Sequence, residues 1–207
     1  MSEARTRLWA MLDRVESHTA ARYAAVAPEL VTAHKRAALD AIHGTASGGG
    51  LAGSPLESAV DALLDAAVGD GSRGDALLLQ GVVLEHLGVT LYRCVGESGH
   101  LPADEARVAA LAGEASGEVA AKALAEACSW YADPSDRFAA FTGRTDQLFV
   151  HLDALGEALD AEFAGPFGIG FADVMGEFVA DLLPACTDGL GFERRKVIAH
   201  LTSALMA

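Results

Sequence analysis

Between Asp75 and Val95 the chain reads DALLLQGVVLEHLGVTLYRCV. The segment is nearly all apolar, yet it carries Gln80, Glu85, His86, Tyr92 and Arg93. A helix apolar on almost every side has to be enclosed by other helices, and polar groups carried into such an interior need partners. The segment therefore predicts a buried central helix, and a functional site in this chain is expected to involve it.

The remaining sequence supplies the helices to enclose it. Apolar residues recur at helical spacing along the whole chain, and no segment alternates with the period of a strand. A first helix is expected from Ser2, its N-cap, with the stripe Leu8, Met11, Leu12, Val15, Thr19, Tyr23 and Val26. Pro28 ends it or opens the next helix, which runs to about His43. Residues 44–55, GTASGGGLAGSP, read as a flexible loop. Ser54 and Pro55 start a third helix, which reaches Val68, and GDGSRG separates it from the central one. An Ala-rich helix follows from Ala103 to Tyr131, with a bend expected near Gly113 or Gly117. Asp133 and Pro134 break the chain before a helix from Ser135 to Phe163. After the turn GPFGIG come a helix from Phe171 to Leu183, closed by Pro184, and a last one from Glu193 to Leu205. The expected fold is all-α: one domain over residues 1–207, a bundle or globin-like stack of about eight helices around the buried central helix.

Composition narrows the function classes. With 51% hydrophobic and 21% charged residues the chain suits a globular protein with a large core. A formal net charge of −14 argues against unassisted binding to nucleic acid or to an anionic membrane, and the basic run Arg194, Arg195 and Lys196 is too short to reverse that. Cys94, Cys128 and Cys186 have no close spacing, which speaks against a disulfide framework or a zinc site and for a reducing cytoplasm. The N-terminus lacks the continuous apolar core of a signal peptide, and the polar residues interrupt every apolar run long enough to span a bilayer. The chain has no Asn, and Lys occurs only at positions 35, 122 and 196, which reads as the composition bias of a bacterial genome.

Chemical motifs are sparse. Glu-x-x-His occurs only at Glu97 to His100, inside a loop, without the second pair that a di-iron bundle needs. His-Glu-x-x-His is absent, and the seven histidines are scattered singly, with His86 and His151 best placed for a haem. Gly69, Gly71 and Gly74 satisfy G-x-G-x-x-G in letter, but a helix precedes them where a phosphate loop needs a strand. Asp173, Glu177 and Asp181 lie opposite Val174, Met175, Phe178 and Leu182, as on the solvated face of an amphipathic helix. Trp9 lies off its helix stripe, either as an interface anchor or buried against the chain terminus. The Phe-, Met- and Gly-rich segment GPFGIGFADVMGEFVADLL suits core, or a surface that admits an apolar ligand or a partner helix.

The central helix carries the most specific expectation. Gly81 and Gly88 lie seven apart on one line, where another helix can approach closely, and the Ala-rich helix is the expected partner. Glu85 and Tyr92 lie beside that line, and Gln80 lies on an apolar side as a core amide. His86, Thr90, Arg93 and Glu97 form a separate stripe. In one reading Glu85 faces a pocket with Tyr92, where desolvation raises its pKa, and His86 and Arg93 join it in binding a ligand. In the other, Glu85 pairs with an Arg of another helix while His86, Thr90 and Arg93 make a partly solvated edge. With no catalytic constellation, no metal site and no cofactor identified, the preferred function is a cytoplasmic binding or regulatory protein. It would use an apolar inter-helical pocket or helix face for a small apolar molecule or a protein partner. The alternatives are a helical metal- or haem-binding oxidoreductase and a homo-oligomeric assembly component.

Overall fold

Short polar side chains set the helix starts. Thr32, Ser54 and Ser72 each accept a hydrogen bond from the backbone N–H three residues on, and Asp133 from the one two residues on. Pro55 and Pro134 occupy first-turn positions, where a missing N–H breaks nothing. The computed structural model describes residues 3–46 and 50–205, so the expected cap Ser2 and positions 47–49 of the expected loop lie outside it. Among the described residues there are eight helices and no strand, an all-α single-domain fold. They are α1 (Glu3–Val26), α2 (Ala33–Thr45), α3 (Pro55–Val68), α4 (Arg73–Glu97), α5 (Ala103–Trp130), α6 (Pro134–Leu159, continued to Phe167), α7 (Phe171–Pro184, continued to Gly189) and α8 (Arg194–Leu205).

Helix α4 is the centre, packed against α1, α3, α5, α6 and α7. Every residue from Gly74 to Glu85 is buried. By length and composition α4 could cross a membrane, but 72% of its most apolar window is buried inside the fold, so neighbouring helices cover it. From Ala76 to Leu84 its hydrogen bonds follow the wider i→i+5 pattern, and the Glu85 N–H reaches back to the Gln80 carbonyl. The α4–α5 contact is close because its residues are small. A Cβ on Gly81 would overlap the Ala123 methyl, and one on Gly88 would lie 3.2 Å from Ser116 Oγ.

Several boundaries differ from the expectation. Gly44 and Thr45 are the last turn of α2, so the connecting loop starts later than residue 44. Helix α5 runs unbroken through Gly113 and Gly117. Pro184 does not end α7, because the next turn continues in the wide pattern from Ala185 to Gly189. The same device carries α6 through Asp160–Ala164 to Phe167.

Candidate functional site

Three charged residues meet in the interior. Glu16 of α1 follows Leu12 by one turn and shares the buried face with Met11, Thr19 and Tyr23. Lys35 opens α2 on the face that also buries Ala38 and Ile42. Glu85 lies mid-way along α4. Their exposures are 6%, 2% and 3%, so water solvates none of them appreciably. Lys35 Nζ donates to Glu16 Oε2 at 2.7 Å and to Glu85 Oε2 at 2.7 Å. Its third proton points at Ser116 Oγ of α5, 3.5 Å away. The outer carboxylate oxygens are also satisfied: the Tyr23 hydroxyl donates to Glu85 Oε1 at 2.9 Å and the Tyr92 hydroxyl to Glu16 Oε1 at 2.8 Å. One lysine thus ties together α1, α2, α4 and α5.

The electrostatics follow from burial and neighbours. Desolvation alone would drive the Lys35 proton off, but the two carboxylates outweigh it and hold the ammonium charged, with its pKa above the ordinary lysine value. Burial pushes Glu85 above the usual carboxylate range; Lys35 pulls it back and Glu16 pushes it up again. Tyr23 and Tyr92 are raised well above the ordinary phenol value, first by burial and then by the carboxylates they donate to. Formally the network carries two negative charges and one positive.

A cavity of about 50 Å³ adjoins this network on one side. Its polar lining is Glu16, Thr19, Glu85 and Tyr92; Met11, Leu12, Leu87, Leu91, Leu159, Phe171 and Val174 are among its apolar walls. A smaller apolar cavity of about 30 Å³, bounded by Leu8, Val95, Phe163 and Phe167, lies next to it. Leu91, Leu159, Phe171 and Val174 border both. Phe171 also lines an open groove with Asp153, Ala172, Met175, Gly176 and Val179. Its ring lies where a Cβ on Gly156 would be, and its N–H donates to Asp160 Oδ1. The half-buried Phe171 therefore stands between both cavities and the open groove.

The four site residues expected from the sequence divide into two places. Glu85 and Tyr92 line the same cavity, joined through Lys35 and Glu16. The partner of Glu85 is a lysine, not the arginine that the alternative reading called for. His86 and Arg93 face α7 instead. His86 Nδ1 lies 2.6 Å from the Val82 carbonyl, and burial lowers its pKa. Arg93 donates to Glu177 at 2.8 Å and to Asp181 at 2.9 Å near the surface, and Thr90 donates to Asp181 at 2.9 Å. Two residues of the acidic stripe on α7 are thus tied to α4, while Asp173 is exposed.

Glu16 and Lys35 were not singled out from the sequence. A signal existed: each is a lone charge on the apolar stripe of its helix. Trp9 is fully buried and donates to Glu105 Oε2 at 2.7 Å, so it presents no interface. Gln80 is a core amide with one end paired: Nε2 donates to the Ala67 carbonyl at 3.3 Å, and Oε1 has no partner among the described residues. Among the described residues no group of three or more His, Cys, Asp or Glu side chains is placed to hold a metal ion. Comparison with protein-family models, with curated proteins and with solved structures found no match to this chain.

Proposed function

We propose that this chain is a helical binding protein that takes a small apolar molecule into the cavity between α1, α4, α6 and α7. The observation that carries the reading is an apolar cavity set against a buried Glu–Lys–Glu network. Few convergent polar groups in an otherwise apolar recess are the usual make-up of a small-molecule site. The space suits a ligand of about four to six non-hydrogen atoms. Phe171 supports an access route, because swinging its ring aside joins the cavity to the groove along α7. Three unpaired cysteines support a reducing, cytoplasmic setting, and the charge of −14 supports a small-molecule partner over nucleic acid or an anionic membrane.

Native mass spectrometry of the protein as purified, followed by ligand-observed NMR with a library of small apolar fragments, tests this. An added mass that leaves on denaturation, or fragment binding lost in a cavity-filling Leu87→Trp variant that remains folded, is the expected result. A bare mass together with no fragment binding overturns the proposal.

A further inference from the structure

We infer that the cavity beside Glu16 and Glu85 selects a small apolar molecule bearing a cationic amine head. This rests on the binding reading above and names the class of molecule bound. The hydrogen-bond donors at the polar end are all committed, and acceptors are left over. The Tyr92 hydroxyl proton is committed to Glu16 Oε1 at 2.8 Å. The Thr19 hydroxyl proton is committed to the backbone of its own helix, with Val15 O at 3.0 Å and Glu16 O at 3.1 Å. Lys35 stands behind the carboxylates and directs its protons at Glu16, Glu85 and Ser116; it is not part of the cavity wall. No side-chain donor on the wall is left to receive a carboxylate, a phosphate or a carbonyl group.

Acceptors remain. Glu16 accepts from Lys35 and Tyr92, and Glu85 from Lys35, Tyr23 and Ser116, so each carboxylate, with about four lone-pair sites, keeps capacity to accept. A molecule placing a polar end there must donate. The formal charge of the network, with two carboxylates and one ammonium, favours a donor that is also positive, because a charge-assisted hydrogen bond is about twice as strong as a neutral one. The opposite end of the cavity, toward Leu87, Leu159 and Phe171, offers only apolar contact. Pentylamine has this shape and charge.

The test is calorimetric titration of the whole chain with pentylamine, 1-pentanol and pentanoate, repeated in about 0.5 M sodium chloride to screen the acidic surface. Pentylamine is expected to bind at least about tenfold more tightly than 1-pentanol, to keep that preference in salt, and to exceed pentanoate by more. In Glu85→Gln, or in Glu16→Gln should the first not fold, the preference for the amine over the alcohol should shrink about tenfold while the alcohol still binds. Equal or tighter binding of 1-pentanol or pentanoate overturns the amine assignment and leaves the pocket reading standing. An amine preference that vanishes in salt also overturns it, since that binding belongs to the surface. Binding of none of the three probes rejects the amine assignment and counts against the pocket.

Discussion

Replacing Lys35 by methionine removes the one positive charge that Glu16 and Glu85 share. Each carboxylate loses a donor at 2.7 Å; Glu16 keeps the Tyr92 hydroxyl, and Glu85 keeps Tyr23 and Ser116. With both acids ionised, two like charges roughly 5 Å apart repel by about 3 kcal/mol at an effective dielectric constant near 20. Unpairing a buried charge network by removing one member typically costs about 3–5 kcal/mol, so Lys35→Met should lose about that much at neutral pH. For a chain of 207 residues this lowers the melting temperature by about 6–20 °C. Urea unfolding followed by circular dichroism at several pH values is the assay. The deficit should shrink as the pH falls from 8 toward 5, because a proton on either carboxyl ends the repulsion. Glu85→Gln should lose less, about 1–3 kcal/mol, since Lys35 then still pairs with Glu16 and nothing charged is stranded. A Lys35→Met loss below about 1 kcal/mol, or one that does not diminish on acidification, would refute the description of a buried, unsolvated network.

Other consequences are as direct. Gly81→Ala puts a methyl against Ala123, and overpacking of about 1–3 kcal/mol should exceed the gain in helix propensity; adding Ala123→Gly should restore most of the stability in thermal unfolding. Lys35, Tyr23 and Tyr92 all have raised pKa values in the fold, so their contributions are full below the unfolded values near 10, decline as pH rises past them and are gone only above the raised folded values. Unfolding free energy should therefore fall by up to about 4 kcal/mol per pH unit above roughly pH 10, and a flat alkaline profile would contradict the shared burial of the three groups. Phe171→Ala opens the space between cavity and groove, so fragment association measured by NMR line shape should quicken severalfold, at a stability cost of about 1–3 kcal/mol for the lost ring packing.

Much of this was legible in the sequence, for a physical reason in each case. An apolar run with glycines seven apart can only be a helix buried against small residues, and Gly81 and Gly88 do meet Ala123 and Ser116. The burial of Glu85 followed from its place in that run. Its partner did not, because periodicity fixes which face a residue occupies and not which helices come together. Glu16 and Lys35 lie 19 residues apart in the chain and meet only because α1 and α2 fold back on each other beside α4. The scarcity of lysine looked like composition, although Lys35 sits on a buried stripe with Ala38 and Ile42. The same limit hid the Arg93 pairing: the stripe of His86, Thr90, Arg93 and Glu97 on α4 and the acidic stripe of α7 were both visible, but their contact is a tertiary fact. Pro184 misled because it lacks only its own N–H: the residues after it keep theirs, and the helix runs on through Ala185–Gly189.

The most direct measurement is a methyl NMR titration of the Leu-, Val- and Met-labelled protein with pentylamine. Occupancy of the cavity requires shifts concentrated at Met11, Leu12, Val15, Leu87, Leu91, Leu159 and Val174, with Val60 and Val197 in other parts of the core left still. Shifts confined to surface methyls such as those of Val150 and Ile198, or no saturable shift at all, would contradict the site.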